Sequence, residues 1–125
     1  MINNIAEDGK IILNRDDDYF DFIKKIALRK NINIISFSTF NIDQDEDIAS
    51  VDPEYLLETL IKLNVSDADA LFISCTALPA LEILEKVEKK VKKLVLSSNQ
   101  TLIWDTLRSV GYKSPIQGYG KLLRN

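Results

Sequence analysis

The single cysteine, Cys75, stands between two hydroxyl side chains, Ser74 and Thr76, and a second polar run, Ser97-Ser98-Asn99, follows further along the chain. A thiol becomes a nucleophile or a proton carrier once it ionises, and N–H groups at a helix amino end favour that ionisation. Ser97, Ser98 and Asn99 carry groups that can hydrogen-bond a carboxylate, or that can cap a helix. The sequence contains no histidine. That excludes a Ser-His-Asp triad, a Cys-His dyad and most zinc sites, and no metal centre is expected. A mechanism resting on Cys75 must therefore draw on backbone dipoles or on a group from another chain.

The element that positions Cys75 is the run Asp69 to Pro79. Ala70 to Ile73 is short and apolar, as in a strand covered on both faces. Pro79 suits the first turn of a helix, where its missing N–H is not needed. The spacing thus predicts a strand, a tight turn and a helix, with Cys75 where the strand's carboxyl end meets the helix's amino end. Ligands bind at that edge in open α/β sheets. Free N–H groups and the helix dipole there favour an anion, either a bound carboxylate or a thiolate.

The same alternation recurs along the chain. Asp8-Gly9 turns into a first strand over Lys10–Asn14. Arg15-Asp16-Asp17-Asp18 is a polar loop whose acids suit a helix amino end better than a Mg²⁺ site. Residues 19–30 form an amphipathic helix with Tyr19, Phe22, Ile23, Ile26 and Ala27 on one face. Ile32–Phe37 is a second strand, and 41–50 an acidic loop. Asp52-Pro53-Glu54 starts a helix with Leu56, Leu57, Leu60 and Ile61 as its stripe. Leu81, Leu84, Val87 and Val91 form the stripe of the helix after Cys75, and its Glu/Lys run is a solvated face. Leu94–Leu96 is a fourth strand. A last helix runs from Ser97 to Val110, with Ile103, Leu107 and Val110 inward and Gly111 as its stop. The tail from Gly118 to Leu123 packs back or pairs with a neighbour. Trp104 belongs to core or interface. Four βα alternations predict an α/β, flavodoxin-like three-layer sandwich: a four-stranded parallel sheet, order 2-1-3-4, with helices on both faces.

With 125 residues the chain is sized for a single domain, 1–125. Its net charge of −3, with both signs interspersed, argues against a nucleic-acid partner, which needs a basic patch. No apolar run is long enough to cross a membrane. A lone cysteine cannot form an internal disulfide, so a cytoplasmic setting is expected. Phe20, Leu28 and Ile83, off the helical stripes, are either an association surface or the scattered exposed apolar residues that any surface carries.

The run Asp67-Ala68-Asp69-Ala70-Leu71-Phe72-Ile73-Ser74-Cys75-Thr76 resembles the aspartate/glutamate racemase superfamily, in the branch of maleate cis-trans isomerases and arylmalonate decarboxylases. The likeness extends to Leu96-Ser97-Ser98-Asn99-Gln100-Thr101-Leu102-Ile103-Trp104 and to Gly118-Tyr119-Gly120-Lys121-Leu122-Leu123, and covers roughly residues 42–125. It is a likeness to the carboxy-terminal lobe of a two-lobed enzyme. The resemblance implies cofactor-free chemistry beside a carboxylate, in a cleft to which each lobe brings a cysteine or a replacement. On that match Cys75 is an acid/base toward the substrate carbon, and Thr76, Ser74 and neighbouring N–H groups hold a substrate carboxylate, with Ser98 and Asn99 at the same rim. Two departures stand out. The other lobe's cysteine has no counterpart. The relatives' Pro-Tyr pair after the first strand of this lobe is replaced by Arg15-Asp16, and Tyr19 lies too far along to match it.

The first 40 residues resemble a different family. Asn4 to Phe20, with Ile34-Ile35-Ser36-Phe37, is similar to the ATP-binding central domain of Mur ligases, nearest to the ligase that adds D-alanyl-D-alanine to the cell-wall precursor. That likeness implies that Asn14, Asp16 and Asp17 correspond to a segment lying near the nucleotide's adenosine. A Walker A loop is absent, so no ATPase is expected. Together the two likenesses suggest a composite, 1–40 Mur-ligase-like and 42–125 racemase-like, joined near 38–42; the alternative is a single-parent protein with a divergent first strand. The expected function is then a folded, catalytically silent α/β domain. The alternative is a cysteine-dependent isomerase or racemase lobe acting on a small dicarboxylate such as maleate, paired with a second lobe or with a second copy in a homodimer.

Overall fold

The structure, a computed structural model, describes residues 9–10, 20–36, 38, 40, 42, 44–64 and 66–125. Its centre is β3 (Ala70–Ile73), with the bounds the apolar run predicts. Beside it lies β4 (Leu94–Ser97), parallel and in the register Ala70–Leu94 through Ile73–Ser97. The crossover between them carries α4 (Leu84–Val91). Earlier in the chain β1 (Gly9–Lys10) and β2 (Ile32–Asn33) form a second parallel pair, joined through α1 (Phe20–Arg29). Among the described residues the expected four-stranded sheet is therefore two parallel pairs, with β1 lying beside β3. The rest of the first predicted strand, together with Asn14, Arg15, Asp16, Asp17, Asp18 and Tyr19, lies outside the described residues.

The core sits between the β3–β4 pair and two helices. Leu56 and Leu60 of α3 (Pro53–Lys62) meet Leu71 and Ile73 of β3, Val95 of β4, and Leu84, Val87 and Val91 of α4. Leu56, Leu84, Val87 and Val95 are fully buried. Each contributes about 1.5–3 kcal/mol on burial. The start of α3 follows its sequence signal. Asp52 accepts a 2.8 Å bond from the Tyr55 N–H, and Pro53 opens the first turn. Lys86 and Glu54 meet at 3.1 Å across the α3–α4 surface.

Several expectations are corrected. The stretch 41–50 is not all loop: Asp45–Ala49 form α2, with Asp45, Glu46 and Asp47 in the first turn, where acids complement the helix dipole. α4 begins at Leu84, so Pro79 is not in its first turn. Residues 74–83 instead follow an irregular path held by burial of Leu78, Ala80 and Ile83 and by short turns such as Ile83 N–H to the Ala80 carbonyl, 3.2 Å. Ile83 is thus core, not an association residue. On α1 only Ala27 of the described stripe residues is buried, while Phe22 is 61% exposed. On α5 (Ser98–Ser109) Ile103 is 37% exposed, and Val110, at its end, 76%; the buried residue of the helix is Gln100. Gly111 has φ +82, as the predicted helix stop requires.

The tail packs back. Leu123 of α6 (Lys121–Arg124) is buried. Glu88 of α4 accepts from the Lys121 N–H at 2.7 Å and from the Val95 N–H at 3.2 Å, tying tail and β4 to one carboxylate. Gln100 donates a 2.6 Å bond to the Tyr119 carbonyl. Trp104 is half-buried; its Nε1–H donates to the Asn125 carbonyl at 3.3 Å, and the Arg108 guanidinium lies 5.6 Å from its ring centroid.

Candidate active site

Strand register decides which residues share the carboxyl rim. Ile73 pairs with Ser97 at the last rung of the β3–β4 ladder. The residues that follow, Ser74-Cys75-Thr76 and Ser98-Asn99, therefore leave the sheet side by side. Their onward paths differ. β4 passes directly into α5, whereas β3 passes into the irregular segment 74–83. The helix amino end beside Cys75 is thus that of α5 and not that of α4, which starts only at Leu84.

The start of α5 is defined by its cap. Ser97, extended at φ −131 and ψ 159, accepts from the Gln100 N–H at 3.2 Å. That occupies one of the orphan donors of the first turn, and the N–H groups of Ser98 and Asn99 have no acceptor within the helix by its geometry. Asn99 bridges the two exits: its Nδ2 donates a 2.9 Å bond to the Thr76 carbonyl. The acceptor is a carbonyl, so the contacting end of the amide must be nitrogen. The Thr76 hydroxyl takes no part in this bond. Thr101 returns its hydroxyl to the Ser97 and Ser98 carbonyls at 3.0 and 2.9 Å, closing the first turn.

Exposure follows from this arrangement. Cys75 is half-buried against the core, between exposed Ser74 and exposed Thr76. Ser98 and Asn99 are half-buried. Ser97 is 1% exposed and acts as the cap, so of the three polar residues before α5 it is the one withdrawn from the rim. Ser74, Cys75, Thr76, Ser98 and Asn99 therefore follow the paired ends of β3 and β4 at one rim, tied together by the Asn99–Thr76 bond. That assembly can bind an anionic group and present a thiol beside it.

Among the described residues no cluster of Cys, Asp and Glu has the arrangement of a metal site. A cavity of about 580 Å³ opens at the other end of β3 and β4, lined by Asp69, Glu85, Glu88, Lys92, Lys121 and Arg124 among others. It lies at the strands' amino ends, away from the rim where ligands of parallel sheets bind. The lysines there complement the carboxyl end of α4. Gln100 is the residue of this region that sequence reasoning missed. A polar side chain in the first turn of a helix looks solvated, and only the paired glycines of Gly118-Tyr119-Gly120 signal a close approach of backbone.

Comparison with known proteins identifies the family and the fold. The sequence profile described as "Arylmalonate decarboxylase" matches residues 16–123. A maleate isomerase of Geobacillus stearothermophilus is 29% identical over 93 residues, which are 74% of this chain and 37% of that protein. A maleate isomerase of Alcaligenes faecalis is 23% identical over 75% of this chain and 38% of its own length. Among solved structures, a sulfate-associated form of arylmalonate decarboxylase superposes with a TM-score of 0.82 at 22% identity, over 94% of this chain and 52% of that one. The maleate isomerase of Pseudomonas putida S16 gives 0.81 at 21%, over 94% of this chain and 48% of its own. At these identities the structural likeness is one of fold. The chain spans well under half the length of the curated relatives it matches. The profile match starts at residue 16 and so runs through the expected junction at 38–42; the comparisons lend no support to a Mur-ligase segment or to a composite chain. No helix among the described residues is long and apolar enough to cross a membrane. With one profile covering residues 16–123 and the same α/β fold beneath it, the chain belongs to the arylmalonate decarboxylase family.

Proposed function

We propose that this chain is a cysteine-dependent, cofactor-free isomerase lobe acting on a small dicarboxylate such as maleate, completed by a second lobe or by a second copy of itself. The observation that carries the proposal is the rim geometry. The Ile73–Ser97 rung sets Cys75 and Thr76 beside the amino end of α5, and the sequence relatives matching this region are maleate isomerases. Among the structural relatives is a Nocardia farcinica maleate isomerase variant with a covalently bound succinylcysteine intermediate. The reading places a single parallel sheet of order 2-1-3-4 beneath the rim. It departs from the silent composite domain, which had rested on a Mur-ligase likeness.

In this reading one substrate carboxylate sits on the Ser74, Thr76 and Ser98 hydroxyls and the free N–H groups of α5, with Asn99 beside it. The Cys75 thiol serves as the acid and base. A nucleophile from the completing half adds to one alkene carbon while Cys75 gives its proton to the other, leaving a single bond between them. That bond turns about its axis, the Cys75 thiolate takes a proton back from the same carbon, and the nucleophile leaves with its electron pair to release the trans isomer. No electrons are gained or lost, so the cycle needs no redox partner. The same thiol can instead exchange a proton with a carbon beside a carboxylate.

The test is a proton NMR time course with maleate, run over a range of protein concentrations, for the parent and Cys75→Ala. Fumarate from the parent and none from the variant is the expected result. A rate per chain that rises with concentration identifies a second copy as the missing half. A folded parent that makes no fumarate at any concentration, alone or mixed with a chain supplying the other lobe, overturns the proposal.

A further inference from the structure

Resting on the reading of this rim as an anion-binding thiol site, we propose that Asn99 is a positioning residue: it fixes the Cys75-bearing segment against the first turn of α5 and does not itself hold the substrate. The segment 74–83 has no regular hydrogen-bond ladder of its own. Its far half is anchored by the buried side chains of Leu78, Ala80 and Ile83. Its near half, Ser74 to Thr76, has exposed residues on both sides of Cys75. That near half is tied to α5 by the 2.9 Å bond from Asn99 Nδ2 to the Thr76 carbonyl. A side-chain amide that donates to a backbone carbonyl sets where the peptide plane lies, and the thiol one residue earlier moves with that plane. The bond also covers a carbonyl whose partial negative charge would otherwise face the incoming anion. Asn99 thus acts through Thr76 on Cys75, and the anion's direct donors are the hydroxyls and the free N–H groups.

Because the chain has one cysteine, alkylation reports on Cys75 alone. The experiment compares rates with iodoacetate and iodoacetamide, each relative to free glutathione, for the parent, Asn99→Leu and Asn99→Ala, with amide exchange followed across 74–80. Leu102→Ala on the same helix, exposed at its surface, is the control. The expected result is a parent that favours the anionic reagent and Asn99 variants in which that preference falls about threefold to tenfold, the scale of one lost hydrogen bond. Amide exchange is expected to quicken at 74–78 and stay unchanged in β3 and β4. Variants that melt cooperatively yet keep both the preference and the slow exchange overturn the inference while leaving the rim's anion-binding reading intact. A parent with no preference, together with Asn99 variants that still exchange faster, overturns the anion-binding reading and leaves Asn99 as the residue that holds the segment.

Discussion

A Cβ added to Gly120 would stand 2.8 Å from Nε2 of Gln100, the same atom that donates to the Tyr119 carbonyl. Gly120 also has φ +86 and ψ 175, a backbone region that side chains other than glycine rarely enter. Gly120→Ala is therefore expected to lower stability by about 1–3 kcal/mol, with the loss centred on the tail. Urea unfolding gives the magnitude. Limited proteolysis gives the place: cleavage should move to residues beyond 115 in the variant and not in the parent.

The packing of α4 against α3 predicts a larger effect. Leu84 and Leu56 are both fully buried in the same cluster. Leu84→Ala should cost about 2–5 kcal/mol, since neighbouring side chains collapse only partly into the space. A chemical melt that shifts by less than the smallest of these amounts would mean that the α3–α4 layer is loosely packed.

Asp52 is a separable contribution. Its carboxylate accepts from the Tyr55 N–H at 2.8 Å at an exposed helix start. Asp52→Ala is expected to cost about 1 kcal/mol and Asp52→Asn much less, because Asn retains an acceptor for the same N–H. Thermal melts of the pair read this difference directly.

The pH dependence has a defined sign at Glu85. The hydrogen bond from Lys89, helped by the charges of Lys89 and Arg124, holds its carboxyl below the ordinary value of 4.5. A carboxylate whose folded pKa is depressed contributes stability that is present above its unfolded value and is lost as pH falls through the folded one. Stability attributable to this group should therefore be constant at neutral pH and decline in acid below pH 4.5. Glu85→Gln should flatten that acid limb with a modest drop in the neutral plateau, since Lys89 is largely solvated and Arg124 keeps Glu88 as a partner. Melts at descending pH compare the two.

What the amino-acid sequence determined by itself is clearest where the signal is local. The apolar run gave β3 its bounds, Asp52-Pro53 started α3, Ser97 capped α5, and Gly111 took the left-handed stop. Each depends on one residue's backbone preference or on a hydrogen bond spanning a few positions, which adjacent residues are enough to specify. The rim residues were legible for the same reason, since Ser74, Cys75 and Thr76 follow a strand whose end is visible in the text of the chain. The tertiary structure decided the rest. The helix end tied to the Ser74–Thr76 exit is that of α5 and not that of α4, because the 73–97 rung and the direct β4–α5 passage bring it alongside and Asn99 bonds the Thr76 carbonyl, and no local pattern encodes a rung between positions so far apart.

 The burial of Leu78, Ala80 and Ile83 against α3 and β3 outweighs the helix signal of Pro79. The apolar faces of α1 and α5 read as buried from their spacing, yet Phe22 and Val110 stand exposed, because periodicity reports that a helix has an apolar side and not whether a surface lies opposite it. Gln100 is the converse case: a polar residue is fully buried because the returning tail brings the Tyr119 carbonyl to it, a pairing that exists only once the chain has closed on itself.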